Sequence, residues 1–131
     1  MNKPSDSVRV VIFDQNNPSN FLVLTETDDP DNWKLPGGKF DTVTENPTVA
    51  ANREVREELS ATLKLEQVAK LVNDDGESAR YIFMGSVAAA TIEPTREIDR
   101  TDWVTEKTIP QSPNQRHILS AVQAARSYLQ K

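Results

Sequence analysis

The sequence predicts a single α+β domain of layered type, residues 1–131, and three observations carry that reading. Short apolar segments rich in β-branched residues recur in pairs across polar turns, as hairpins do. One helix has a clear start at Asn46-Pro47 and an apolar stripe through Ala51, Val55 and Leu59. A second amphipathic stretch, residues 117–129, places Ile118, Ala121, Val122, Ala125 and Leu129 on one face.

In chain order, residues 8–13 (VRVVIF) read as a buried strand and residues 14–20 as a turn by composition. Residues 21–25 (FLVLT) return as the second strand of that hairpin, and residues 27–32 read as a polar loop. Leu35-Pro36-Gly37-Gly38 ends an extended segment with backbone able to approach a ligand closely. Asn46 caps the first helix, with Pro47 at its first helical position. Residues 63–72 and 80–89 read as two strands joined by the loop at residues 73–78, a second hairpin. Residues 102–105 around Trp103 form a short strand, and the helix at residues 117–129 closes the order β-β-α-β-β-β-α.

Composition removes several function classes. With no cysteine there is neither a disulfide framework nor thiol chemistry, and a cytoplasmic location is expected. No stretch approaches the roughly 20 apolar residues of a membrane span, and residues 1–13 do not resemble a secretory signal. The net charge of −5, with no basic run, argues against a nucleic-acid duplex as partner. It leaves a nucleotide open, because a bound cation can supply the positive charge that phosphates need. Nothing in the sequence fixes the oligomeric state, and a homodimer stays open.

The first helix carries Glu54, Glu57 and Glu58. At 100° per residue they fall within an arc of about 100°, bordering the apolar stripe. Carboxylates on one helix face repel each other by a few tenths of a kcal/mol per pair, so the helix gains no stability from them. A divalent cation held by oxygen ligands is the natural counter-charge. The plainer reading is a solvated face screened by Arg53 and Arg56. The glutamates flank the buried stripe and follow a Gly-Gly turn, which favours the cation.

Residues 38–61 resemble the Nudix box of the Nudix hydrolases, the MutT-like pyrophosphohydrolases. The box reads G, five residues, E, seven residues, R-E-U-x-E-E-x-G-U, with U a bulky apolar residue. Glu45, seven intervening residues and then Arg53-Glu54-Val55-Arg56-Glu57-Glu58 match it in type and spacing. Trp33-x-Leu35-Pro36-Gly37-Gly38 before it is typical of the family. Three positions depart from the pattern. Six residues separate Gly38 from Glu45, Ser60 stands at the box glycine, and Ala61 replaces a bulkier residue. A residue with a Cβ in the left-handed conformation expected there costs about 1–2 kcal/mol.

The resemblance implies an α/β/α sandwich with a mixed sheet and a Mg²⁺-dependent hydrolase, with Mn²⁺ as a second fitting ion. It implies Glu57 and Glu58 as principal metal ligands, Glu54 as a third, and the Gly38 carbonyl as a further oxygen. Arg53 would hold a box glutamate, with Glu45 its plausible partner. Glu45 has two standing readings, outer-shell metal ligand or a charge favoured near a helix N-terminus. The general base is a box glutamate such as Glu57 or an acid outside the box. Glu93, Glu97, Asp99 and Asp102 precede Trp103, and Glu97 is favoured among them. Gly37, Gly38 and Lys39 would meet the phosphates, although an exposed lysine is an equal reading of Lys39. Trp33 and Trp103 read as packing at least as readily as ligand contacts. His117 reads as a surface residue, while Arg9 and Arg80 lie on strands able to face substrate.

Substrate choice is less specified. No proline stands at the downstream position associated with ADP-ribose hydrolysis, and no SQPWPFxS-like segment associated with NADH is present. The chain therefore fits best a nucleoside triphosphatase acting on a small-molecule nucleoside diphosphate derivative and releasing a monophosphate and pyrophosphate. A non-catalytic nucleotide-binding or sensor module on the same fold is the alternative. An isoprenoid diphosphate isomerase is disfavoured because that chemistry wants a cysteine at the site.

Overall fold

The computed structural model describes residues 2–131. The elements run β1 (Ser7–Asp14), β2 (Asn17–Glu26), β3 (Asp29–Lys34), β4 (Gly37–Lys39), α1 (Pro47–Leu59), β5 (Glu66–Val72), β6 (Ala79–Val87), β7 (Ile98–Val104) and α2 (Gln115–Leu129). A single 3-10 turn, Ala89–Thr91, precedes β7. The strands form one mixed sheet in the order β3-β2-β1-β6-β5, with β4 added to β1 and β7 to β2. β1 and β6 are parallel and the other pairings antiparallel. One helix covers each face, giving the α/β/α sandwich.

β1 explains why its sequence shows no clean alternation. A central strand buried on both faces must be apolar at both parities. Val8, Val10 and Ile12 pack with Ala51, Val55 and Leu59 of α1. Val11 and Phe13 pack with Ile118, Ala121, Val122 and Ala125 of α2. Each large side chain so buried contributes about 1.5–3 kcal/mol. The second face also contains Arg9, the one cationic residue of the central strand.

The structure moves several expected boundaries. Residues 17–20, read as turn, extend β2, so that only Gln15 and Asn16 make the hairpin turn. Residues 29–32, read as loop, belong to β3, because pairing across Glu26↔Asp29 and Leu24↔Lys34 overrides the low strand preference of Asp and Asn. β7 begins at Ile98, four residues before the expected start, since Arg100, Thr101 and Asp102 pair with β2. β5 begins at Glu66 and α2 at Gln115. Leu129 is 56% exposed, not buried with the rest of its stripe.

α1 begins and ends as its residues dictate. The Asn46 side chain accepts the Thr48 N–H at 2.8 Å, and Pro47 opens the helix. Ser60 ends it in the left-handed conformation, φ 53° and ψ 33°, with its N–H donating to the Arg56 carbonyl at 3.1 Å. It is the sole described non-glycine residue with positive φ. The box glycine has thus been replaced without changing the way the helix stops. Ser60→Gly should remove the Cβ strain, less the extra entropy of glycine in the unfolded chain, and raise stability by about 0.5–1 kcal/mol. Urea unfolding of the two proteins at equal m-value measures it.

Candidate active site

The site is assembled where β4 meets α1. Gly37 has φ 139°, and a Cβ there would lie 2.1 Å from the Val8 carbonyl oxygen, so β4 can lie against β1 only with glycine at this point. That approach turns the Gly37 N–H toward the helix, where it donates to Glu58 Oε1 at 2.9 Å. A Cβ on Gly38 would fall 2.8–3.0 Å from the Glu54 carboxylate. The glycine pair therefore forms a cradle into which two helix carboxylates fit.

Arg53 organises the remaining acids. Its guanidinium donates to Glu45 from Nε at 2.8 Å and from Nη2 at 3.1 Å. Nη1 donates to Glu54 at 2.9 Å and to Glu57 at 3.3 Å. Nη2 also reaches the Lys39 carbonyl, and Nε lies 3.1 Å from Asp41 Oδ2. The longer loop after Gly38 leaves Glu45 in place, because the Asp41 N–H donates back to Glu45 Oε1 at 2.8 Å. Asn2 holds the same loop from outside through the Thr42 and Glu45 carbonyls.

The electrostatics are one-sided. Glu45 is held below its ordinary range by the Arg53 hydrogen bond, and Arg53 is raised far above its own chiefly by Glu45. Glu54 is pushed up by burial, against the pull of Arg53. Glu58, only 2% exposed, is pushed up to about 8, first by burial and only partly countered by the Gly37 N–H. Buried carboxylates with this excess of negative charge are a donor set suited to a hard divalent cation. As they stand, the three glutamates have different partners. Among the described residues no three His, Cys, Asp or Glu side chains are arranged around one ion position. Glu57, 45% exposed at its side chain and on the longest of the Arg53–carboxylate bonds, is the one freest to turn.

The segment before β7 straps the end of α1. Glu93 N–H donates to the Leu59 carbonyl, Thr95 N–H to Glu58 and Thr95 Oγ1 to Glu57, at 2.8–2.9 Å. These bonds satisfy carbonyls that a helix end leaves unpaired. They bring the backbone of Glu97, two residues on, to the glutamate end of the helix. The Glu97 carboxylate itself is exposed and makes no hydrogen bond among the described residues. Thr95 carried no signal in the sequence; its role is created by the packing. The Lys39 side chain is exposed, and Trp103 packs at the edge of the α1 core. Trp33 is half-buried and lies under the Arg100 guanidinium, 4.8 Å from its ring centre.

On the α2 face a cavity of about 290 Å³ is lined by Arg9, Lys34, Leu35, Arg80, Asn114 and His117, among others. His117 is therefore a half-buried cavity residue instead of the surface residue expected. A charge in the middle of the apolar run VRVVIF was the signal for Arg9.

With this geometry in place the sequence matches the NUDIX domain profile over residues 3–122. The chain belongs to the NUDIX family. Membership makes it a pyrophosphohydrolase of the NUDIX type. No curated protein matches the sequence. Among solved structures it is similar to the NUDIX domain of Shewanella oneidensis NrtR complexed with ADP ribose, at TM-score 0.73 and 18% identity over 98% of this chain and 90% of that one. It is similar to a C. elegans Ap4A hydrolase at TM-score 0.71 and 18% identity, covering 95% and 98%. The E. coli dihydroneopterin triphosphate pyrophosphohydrolase gives 0.67 and 23%, covering 96% and 94%. At these identities the likeness establishes the NUDIX fold alone.

Glu58 gives a pH dependence with a definite sign. In EDTA the unfolded chain releases this proton near 4.5 and the folded one near 8. Between those values the folded state holds the extra proton, so the stabilisation is complete below about pH 4.5 and is lost as pH rises through 8. Thermal unfolding in EDTA should fall by several degrees from pH 5.5 to 8.5. Glu58→Gln should flatten that slope, and saturating Mg²⁺ should flatten it in the native protein.

Proposed function

We propose that this chain is a Mg²⁺-dependent hydrolase that cuts a diphosphate linkage in a nucleoside diphosphate derivative. The favoured substrate is a nucleoside triphosphate, cleaved to monophosphate and pyrophosphate. The observation that carries the proposal is the pair of desolvated carboxylates, Glu54 and Glu58, held against the Gly37-Gly38 backbone. Arg53 compensates Glu54, but Glu58 has only the Gly37 N–H, and a buried carboxylate so placed is costly unless a further cation joins it.

Glu57 and Glu58, with Glu54 and the Gly38 carbonyl, would hold the ion, for which Mn²⁺ is a second fit. When bound, the ion supplies charge neutralisation of the phosphates and a more acidic water. Glu57 takes this role by turning its exposed carboxylate from Arg53. Arg53 is a positioning residue that keeps Glu54 and Glu45 oriented. Gly37, Gly38 and Lys39 lie where phosphate oxygens meet backbone and ammonium. Glu97, on the segment strapped to the helix end, is the favoured general base, which must reach the attacking water within hydrogen-bond distance. A cytoplasmic setting accords with the cysteine-free composition and with the absence, among the described residues, of any helix long and apolar enough to cross a membrane.

Release of phosphate or pyrophosphate from a panel of nucleoside triphosphates, dinucleoside polyphosphates and nucleotide sugars, with Mg²⁺, tests this directly. Glu57→Gln should lower kcat by at least about 10²-fold on the best substrate. Equal rates in the two proteins would remove Glu57 from the chemistry. Tight binding of one compound with no turnover of any would make the chain a nucleotide sensor.

A further inference from the structure

We infer that the cavity around Arg9 and Arg80 receives a phosphate group of the substrate lying beyond the scissile linkage, resting on the diphosphate reading above for what occupies the glutamate face. β1 and β6 run parallel with Ser7 opposite Arg80 and Arg9 opposite Ile82. Arg9 and Arg80 therefore rise from the same face of the sheet as diagonal neighbours. Neither has a carboxylate within 4.0 Å among the described residues. Two guanidinium groups drawn out of bulk water side by side repel each other, and burial lowers both from their ordinary range, against the more distant pull of Glu58, Glu26 and Glu54 on Arg9 and of Asp74 on Arg80. An anion between them relieves both penalties, and the planar guanidinium fork matches phosphate oxygens.

The rest of the lining narrows the ligand. No Phe, Tyr or Trp lines the cavity, so a nucleobase finds no aromatic ring to stack on. Each amide of the lining is anchored to the protein, Asn73 at both ends and Asn32 and Asn114 through their NH2 groups. Asn73 donates to Ser78 and accepts from Arg80 Nε, Asn32 donates to Asp29, and Asn114 donates to the Trp33 carbonyl. Arg9, by contrast, donates only one bond, Nη1 to the Leu35 carbonyl at 3.1 Å. Of the charged lining groups, Asp29 lies 3.9 Å from Lys34, which also pairs with Glu26, whereas Arg9 and Arg80 have no carboxylate partner within 4.0 Å among the described residues. Arg9 also stands opposite Gly37 in the β1–β4 register, so the cavity opens beside the turn that touches Glu58. A diphosphate at the glutamates would carry an attached phosphate toward it. The group is either the terminal phosphate of a nucleoside triphosphate or a phosphate monoester elsewhere on the substrate.

Two ligand pairs separate these sources. Dissociation constants are measured with Ca²⁺ replacing Mg²⁺ for ATP against ADP and for CoA against dephospho-CoA. Each pair differs by one phosphate. The phosphate-richer member of one pair should bind at least about tenfold tighter, and the pair that shows it names the source. Arg9→Gln and Arg80→Gln should each reduce the difference to less than about threefold. Arg80 lies toward the end of β6 outside the core clusters, so its variant keeps the test alive should Arg9→Gln fail to fold.

His117, the only histidine, reports location. Burial first, then Arg80, Arg116 and Arg9, lowers its pKa, while Asp74 raises it. Phosphate in the cavity should raise it, as read from the imidazole proton resonance during the same titrations. Equal binding within both pairs overturns the proposal. So does a preference that survives both substitutions or leaves His117 unmoved. Hydrolysis with equal binding would sink this inference and keep the hydrolase. A preference at this cavity without any hydrolysis in Mg²⁺ would sink the hydrolase and keep this inference.

Discussion

Glu58 Oε1 accepts the Gly37 N–H inside the protein, and that buried bond ties the helix to the strand that faces it. It exists because Gly37 has no Cβ to strike the Val8 carbonyl, which lets β4 lie on β1. The same close approach places Gly38 against the Glu54 carboxylate. Two acids are thereby drawn out of water at the edge of the α1 core. One backbone N–H is weak compensation for such a carboxylate, as the upward shift of Glu58 to about 8 records. The fold thus spends stability to concentrate negative charge at one place, the kind of local inconsistency that functional sites show.

Arg53 makes that concentration tolerable. One planar guanidinium meets Glu45, Glu54, Glu57 and Asp41 in turn, which a lysine ammonium with three donors could not match in geometry. The loop one residue longer than the box pattern is absorbed by a local hydrogen bond from Asp41 to Glu45, and Asn2 fastens it from the N-terminal side. The strap at Glu93 and Thr95 satisfies the far end of the helix. The acidic face is therefore fixed at both ends while Glu57, the exposed member, keeps freedom to move.

Carboxylates and unpaired guanidinium groups gather on different faces of the sheet. The α1 side gathers carboxylates around Arg53. The α2 side holds Arg9 and Arg80 in a cavity without an ion pair of their own among the described residues. β4 sits at the boundary, with Gly37 opposite Arg9 in register and bonded to Glu58 from behind. A ligand rich in phosphate is complementary to such a divided surface once a cation joins the acidic side.

The sequence by itself determined the helix with its Asn46 cap, the arc of Glu54, Glu57 and Glu58, the glycine pair and the family. Each of these is local, set by spacing along one element or by a turn that only glycine permits. It also determined the hairpins, whose apolar runs are contiguous in the chain. The tertiary structure decided the rest. β3 forms from Asp, Pro and Asn because its partner strand is already in place, which intrinsic preference does not report. Ser60 takes the left-handed conformation because the packed chain requires the helix to stop there. Thr95 gains its role only where the segment before β7 meets the end of α1, and Arg9, Arg80 and His117 come together only through parallel pairing of β1 with β6 and the docking of α2. Contacts between residues so far apart in the chain, 37 from Arg80 to His117 and 38 from Glu57 to Thr95, leave no period in the sequence.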